Sequence, residues 1–184
     1  MQHATIFGGF GGQGILFAGH VLAQAAVLQD KAVSWMPSYG PEMRGGTASC
    51  TVIVSDHPIG SPIVDTADSV VALTPPALAK FEPLVAPGGL LVVNASLIEA
   101  ESRRTDLEVL PVPCTALARE AGDDRLVSVV ALGALIAHRP IVDPDAIRQA
   151  LADLVGAKRP DLLAADLAAF ARGYGAEARL TAAR

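Results

Sequence analysis

The chain has 184 residues, 51 % of them hydrophobic and only 4 % aromatic, with a formal net charge of −5 and a mean hydropathy of +0.41. Such a length suits one domain over 1–184 with a core of Ala, Val, Leu and Ile. No basic stripe is present to engage nucleic acid, and no run reaches the roughly 18 apolar residues of a membrane span.

The opening MQHATIFGG lacks the basic start of a leader segment. Cys50 and Cys114 lie far apart and outside any CxxC pair, which suits a reducing, cytoplasmic setting. Two thiols cannot hold a common iron–sulfur cluster, which takes about four. The surplus of apolar residues has two outlets, a deep core or a partner subunit.

In chain order, HATIFGG is a predicted first strand that runs into a glycine-rich loop. Residues 14–28 form a helix that is apolar on almost every face, interrupted only by His20 and Gln24, and is therefore expected to be buried. AVSWM is a second strand, closed by Pro37. From Thr47 to Ser55 the side chains alternate, with Ala48, Cys50, Val52 and Val54 on one face, as in a half-buried strand. SDHPIGSP reads as a turn and short return, a candidate hairpin.

SVVALT is a fully apolar strand, PPALAKFEPLV a helix opened by proline, PGG a turn, LLVVN a buried strand and LEVLPV a final edge strand. Helices follow near 114–121, 127–138, 144–155 and 161–172, with Gly173 and Gly175 ending the last. Strands alternating with helices predict an open, three-layer α/β domain with helices on both faces. The 47–55 alternation makes the sheet mixed, and its first βα unit is Rossmann-like.

Five glycines stand within residues 8–14. Gly9, Gly11 and Gly14 match G-x-G-x-x-G between a strand and a helix, where backbone amides and the helix dipole favour an anion. The acidic residue that a dinucleotide ribose needs at the end of the next strand is missing, since that strand ends SWMPS. No Gly-Lys-Ser/Thr follows for a P-loop. Three readings stay open: tight helix–strand packing, a phosphate-bearing ligand, or a partner backbone. Gly12 and Gln13 lie between the fingerprint glycines, and Gln13 adds a donor and an acceptor at the helix entry.

The second loop, PSYGPEMRGGTASC, should lie beside the first, at the carboxyl ends of the strands where α/β folds bind ligands. Its backbone is shaped by Gly40, Gly45 and Gly46, and its chemistry comes from Ser38, Tyr39, Glu42 and Arg44. Arg44 either meets a phosphate or carboxylate or pairs with Glu42 and pins the loop.

GFGGQG followed by SYGPEMRGGTASC resembles the γ subunit, or γ domain, of the 2-oxoacid:ferredoxin oxidoreductases. These enzymes act on pyruvate, 2-oxoglutarate, branched-chain 2-oxoacids or indolepyruvate. The similarity continues through PIGSPIVDTADSVVAL and GGLLVVNASLI to ALGALIA. It implies a complex that converts a 2-oxoacid and coenzyme A to an acyl-CoA, with two electrons leaving singly to ferredoxin. Thiamine diphosphate, Mg and iron–sulfur clusters are implied for the α and β subunits, with δ where present, and none for this chain alone.

The resemblance further implies that Gly9, Gly11, Gly12, Gln13, Gly14, Ser38, Tyr39, Glu42, Arg44, Gly45 and Gly46 meet coenzyme A or form a subunit junction. One departure stands out: where the family often has Asn before ALGAL, this chain has Ser128, a shorter side chain with fewer hydrogen bonds to give.

The remaining candidates read as structural. His3, His20, His57 and His138 do not cluster at ligand spacing. Cys50 alternates with core valines, and Cys114 opens a helix with no base nearby in sequence. Asp65 and Asp68 suit capping or solvation better than a metal. The stripe Leu163, Leu167, Phe170 and Tyr174 suits a core.

Overall fold

A computed structural model describes residues 1–39, 47–99, 102, 104–156 and 159–181. Six strands, β1 Gln2–Phe10, β2 Ala32–Tyr39, β3 Thr47–Ser55, β4 Ala67–Ala72, β5 Val85–Asn94 and β6 Glu108–Val112, form one sheet in the order β2-β3-β1-β4-β5-β6. β3 is antiparallel to both β1 and β2. β1, β4, β5 and β6 are parallel. The sheet is mixed, as the alternation in β3 predicts.

Register fixes the site. Phe10 pairs with Thr47 and Tyr39 with Ala48, so β1 and β2 end together at one rim of the sheet.

Among the described residues six helices form: α1 Ile15–Val27, α2 Pro75–Phe81, α3 Cys114–Glu120, α4 Val127–His138, α5 Pro144–Val155 and α6 Pro160–Thr181. One sheet face, with Phe7, Val52, Val71 and Val92, packs into a core with α1 and α3 to α6. The other, with Ile6, Val70, Leu91 and Val93, packs against α2 and Ile98. Burial on both faces explains the unbroken apolar runs of β4 and β5. In β3 the predicted half-burial holds only near its start, because Ile53 is buried along with Val52 and Val54.

Several local expectations give way to packing. Pro37 does not close β2, which runs on to Tyr39. As β2 is an edge strand, it tolerates the missing N–H. The helix opened by Pro75 stops at Phe81 and passes through a 3-10 turn, Glu82–Leu84, into β5. PGG therefore lies within β5 rather than before it. Gly88 has φ 74, and the pairing with β4 shifts register there, so the glycines absorb a bulge. Residues 56–66 form no strand, and the hairpin is absent.

Neither Gly173 nor Gly175 ends α6. A β-carbon on Gly173 would lie 1.8 Å from the Val130 carbonyl oxygen, and one on Gly133 would lie 2.3 Å from that of Phe170. The glycines let α4 and α6 cross backbone to backbone, which outweighs their helix penalty of roughly 1 kcal/mol each. Leu163, Leu167 and Phe170 pack into the core, as the stripe predicts, and Tyr174 tilts against Phe170 at its edge.

Candidate functional site

β1 stops at Phe10, and the chain turns through Gly11, Gly12, Gln13 and Gly14 into α1. The turn is tied from within. The Gln13 N–H donates to the Phe10 carbonyl at 3.2 Å, and Gln13 Oε1 accepts from the Phe10 N–H at 2.7 Å. Gly12 has φ 97 and Gly14 φ 73, left-handed conformations that disfavour a β-carbon. Gly9 is required for a different reason, because a β-carbon there would lie 2.5 Å from Gln13 Oε1 and 2.8 Å from Ile15 Cδ1. It serves the packing beneath the loop.

Gly14 caps α1 without a side-chain hydrogen bond, and no acidic residue stands in the first turn. The opening amides of a helix have no intrahelical acceptor and carry the positive end of its dipole. Here Ile15, Leu16 and Phe17, with Gly11, Gly12 and Gly14, line a cleft of about 710 Å³, within the size range of small-molecule sites. Thr47 and Ala48 of β3, the turn before α4, the end of α5 and the start of α6 complete its walls.

Two polar side chains, one behind the cleft at Gly14 and one lining it, lack hydrogen-bond partners among the described residues. Ser128 is fully buried and its Oγ has no hydrogen-bond partner. A β-carbon on Gly14 would lie 2.7 Å from that oxygen. Asp166 lines the cleft with only 7 % of its surface exposed. Desolvation first, and the charge of Asp123 second, push its carboxyl up to about 6.

Asp123 is itself engaged. It accepts from Arg125 Nε at 2.9 Å and Nη2 at 2.6 Å, and from the Arg125 backbone N–H at 2.8 Å. These bonds hold its carboxyl below the usual carboxylate range.

Of the residues picked out in sequence, Gly9, Gly11, Gly12, Gln13 and Gly14 meet at the rim. Ser38 is exposed near the end of β2 and pairs with Ser49. Tyr39 ends that strand. Glu42, Arg44, Gly45 and Gly46 lie outside the described residues. Asp123, Arg125 and Asp166 escaped sequence reasoning. Asp166 left a signal, an acid inserted at helical spacing between Leu163 and Phe170, in a stripe read as plain core.

The other candidates sit apart from the cleft chemistry. The Cys50 thiol, pushed up to about 12 by burial, donates to the Ile15 carbonyl at 3.5 Å. Burial also raises Cys114, first residue of α3; desolvation there overrides any lowering by the helix end. His20 stacks on Trp35, His3 meets Ser69 Oγ at 3.0 Å, and His138 meets Glu108 at 2.5 Å. Asp68 accepts the Ala4 N–H at 2.7 Å. Among the described residues no group of three or more His, Cys, Asp or Glu is placed to hold a metal, and no helix is long and apolar enough to cross a membrane.

A mixed sheet that opens at one rim into a glycine-lined cleft defines an open α/β fold. Residues 4–176 match the pyruvate ferredoxin/flavodoxin oxidoreductase family, and the chain belongs to that family. It is 42 % identical over 129 residues to the ketoisovalerate oxidoreductase subunit VorA of Methanothermobacter marburgensis, covering 70 % of this chain and 27 % of the relative. The match thus spans about a quarter of that relative's length.

Among solved structures, it resembles the γ subunit of a keto/oxoacid ferredoxin oxidoreductase from Geobacter sulfurreducens. The TM-score is 0.85 and the identity 28 %, over 97 % of this chain and 98 % of that one. It also resembles the 2-oxoglutarate:ferredoxin oxidoreductase of Magnetococcus marinus, solved with 2-oxoglutarate, coenzyme A and succinyl-CoA bound. There the TM-score is 0.88 and the identity 26 %, over 97 % of this chain and 31 % of that one.

Proposed function

We propose that this chain is the γ component of a thiamine-diphosphate-dependent 2-oxoacid:ferredoxin oxidoreductase. The complex decarboxylates a 2-oxoacid oxidatively and yields an acyl-CoA. In this reading residues 1–184 form one γ-type unit that docks in the cytoplasm on α and β subunits, with δ where present, and performs no turnover alone. Thiamine diphosphate, Mg and the iron–sulfur clusters sit on those partners, and electrons leave through them to ferredoxin. Two separate, buried cysteines on β3 and α3 do not make a cluster site.

The observation that carries the reading is the uncapped start of α1 opening into a sizeable cleft beside the glycine turn. Coenzyme A is a long anion. Its phosphates suit the amides of the glycine turn and of the first turn of α1, and its pantetheine arm suits the apolar walls. A neighbouring structure contains coenzyme A, in a chain of which this one matches about a third. The chain's own residues bind and orient the cosubstrate, and the rim where β1 and β2 end abuts the catalytic partner. An independent dinucleotide enzyme is a poorer fit, because β2 ends in Ser38 and Tyr39 with no acid for a ribose.

The test is the KM for coenzyme A in the assembled complex. Gly12→Val, at φ 97 on the cleft wall, should raise it about tenfold or more. Gly88→Val carries similar backbone strain at φ 74, with no atom within 4 Å of its β-carbon, and should leave KM unchanged. Equal KM values for both variants and wild type would refute coenzyme A contact.

A further inference from the structure

We propose that Asp166 forms a second subsite of the cleft, an acceptor for the amino group of a flat heteroaromatic ring. On the coenzyme A reading above, on which this inference rests, the ring is adenine.

Asp166 is more than nine-tenths buried, lines the cleft and has no hydrogen bond or ion pair among the described residues. A carboxyl group left so is costly unless something arrives to satisfy it. Of the two arginines that line the cleft, Arg125 and Arg159, Arg125 is already held by Asp123 through two side-chain nitrogens, and neither has a hydrogen bond or ion pair with Asp166 among the described residues. The lining that Asp166 shares includes the apolar Leu126, Leu162 and Ala165 along with Asp123, whose charge reaches it. The occupant must therefore present N–H to a carboxyl while offering apolar surface to its neighbours.

A phosphate does neither and would face an uncompensated carboxylate, so anions are steered to the α1 amides instead. An aminopurine does both. Its amino group donates to a carboxylate oxygen, and its adjacent ring nitrogen accepts from the carboxylic acid form. A group poised between the two forms near neutrality, as burial leaves Asp166, can meet that edge in either state. The cleft then has two chemically distinct parts, amide donors on α1 for phosphate and a carboxyl on α6 for the base, which together fix the direction in which an adenine-bearing anion lies.

The experiment compares coenzyme A with an analogue that carries unsubstituted purine in place of adenine, and so lacks the amino donor, in the assembled complex. In wild type the analogue should have a KM at least about tenfold higher, as expected for loss of a hydrogen bond to a charged group. Asp166→Leu, similar in size and without an acceptor, should bring the two KM values within about twofold. Equal values in wild type would overturn the inference, as would discrimination that persists in Asp166→Leu. So would loss of complex assembly by that variant together with equal wild-type values, which points to a basic side chain of a partner at Asp166.

If Asp166→Leu does not fold, the wild-type ratio alone decides. Where the ratio is one but Gly12→Val still raises the KM for coenzyme A, the base subsite fails and coenzyme A contact stands. Where Gly12→Val is silent too, both fail.

Discussion

The hydroxyl oxygen of Ser128 stands 2.7 Å from the place a β-carbon on Gly14 would occupy. The start of α4 thus sets the seat of the glycine turn, although the two are more than a hundred residues apart. Gly14→Ala must accept a left-handed backbone, costing about 1 kcal/mol, and must displace Ser128 or the Arg125 carbonyl. Urea unfolding should show a loss of about 2 kcal/mol or more. Ser128→Ala removes a buried, unpartnered hydroxyl and should change stability by less than about 1 kcal/mol.

The crossing of α4 and α6 makes opposite predictions for two glycines two residues apart. Gly173→Ala drives a methyl into the Val130 carbonyl, backbone against backbone, and should cost more than about 3 kcal/mol or prevent folding. A β-carbon on Gly175 meets nothing within 4 Å, so Gly175→Ala should gain up to about 1 kcal/mol from helix propensity. Thermal unfolding of the two variants checks both.

Asp166 should make the chain less stable as pH rises. Its folded pKa, near 6, exceeds the ordinary value of 3.8, so between these values the folded state holds more protons than the unfolded one. Stability from this group is full below pH 4 and is lost by about pH 7, on the order of 2–3 kcal/mol. Relative to wild type, Asp166→Asn should therefore gain stability by about that amount between pH 4 and 8. A difference between the two proteins that does not vary with pH would contradict this. A carboxyl kept at such a cost suits a binding role.

The cysteines should be inert. Cys50 and Cys114 are both buried and both thiols are raised by burial, which leaves little thiolate at pH 8. An aromatic disulfide reagent should label neither in the folded chain and both in denaturant.

Much of this molecule is legible locally. The apolar runs of β4 and β5 and the alternation at the start of β3 follow from side-chain period. The Gly11–Gly14 turn announces itself by glycine density, and β1 and β2 ending at one rim with β3 between them follows from the mixed sheet.

What local rules misassign are positions decided by distant partners. Gly173 looks like a helix stop until Val130 lies against it. Pro37 looks like a strand end until β2 turns out to be an edge. Asp166 looks like an acid strayed into a core stripe, because only closure of α6 over the glycine turn makes a cleft for it to line. Ser128 was visible as a departure from the family pattern, but its place against Gly14 needs the fold.

The central claim is that this chain completes a coenzyme A-dependent enzyme without being one itself. The direct measurement is the rate of 2-oxoacid-dependent electron-acceptor reduction as the chain is titrated into its separately purified catalytic subunits at fixed coenzyme A. The account predicts no rate from the chain alone and a rise that saturates near one equivalent. A full rate before any chain is added, or turnover by the chain on its own, would contradict it.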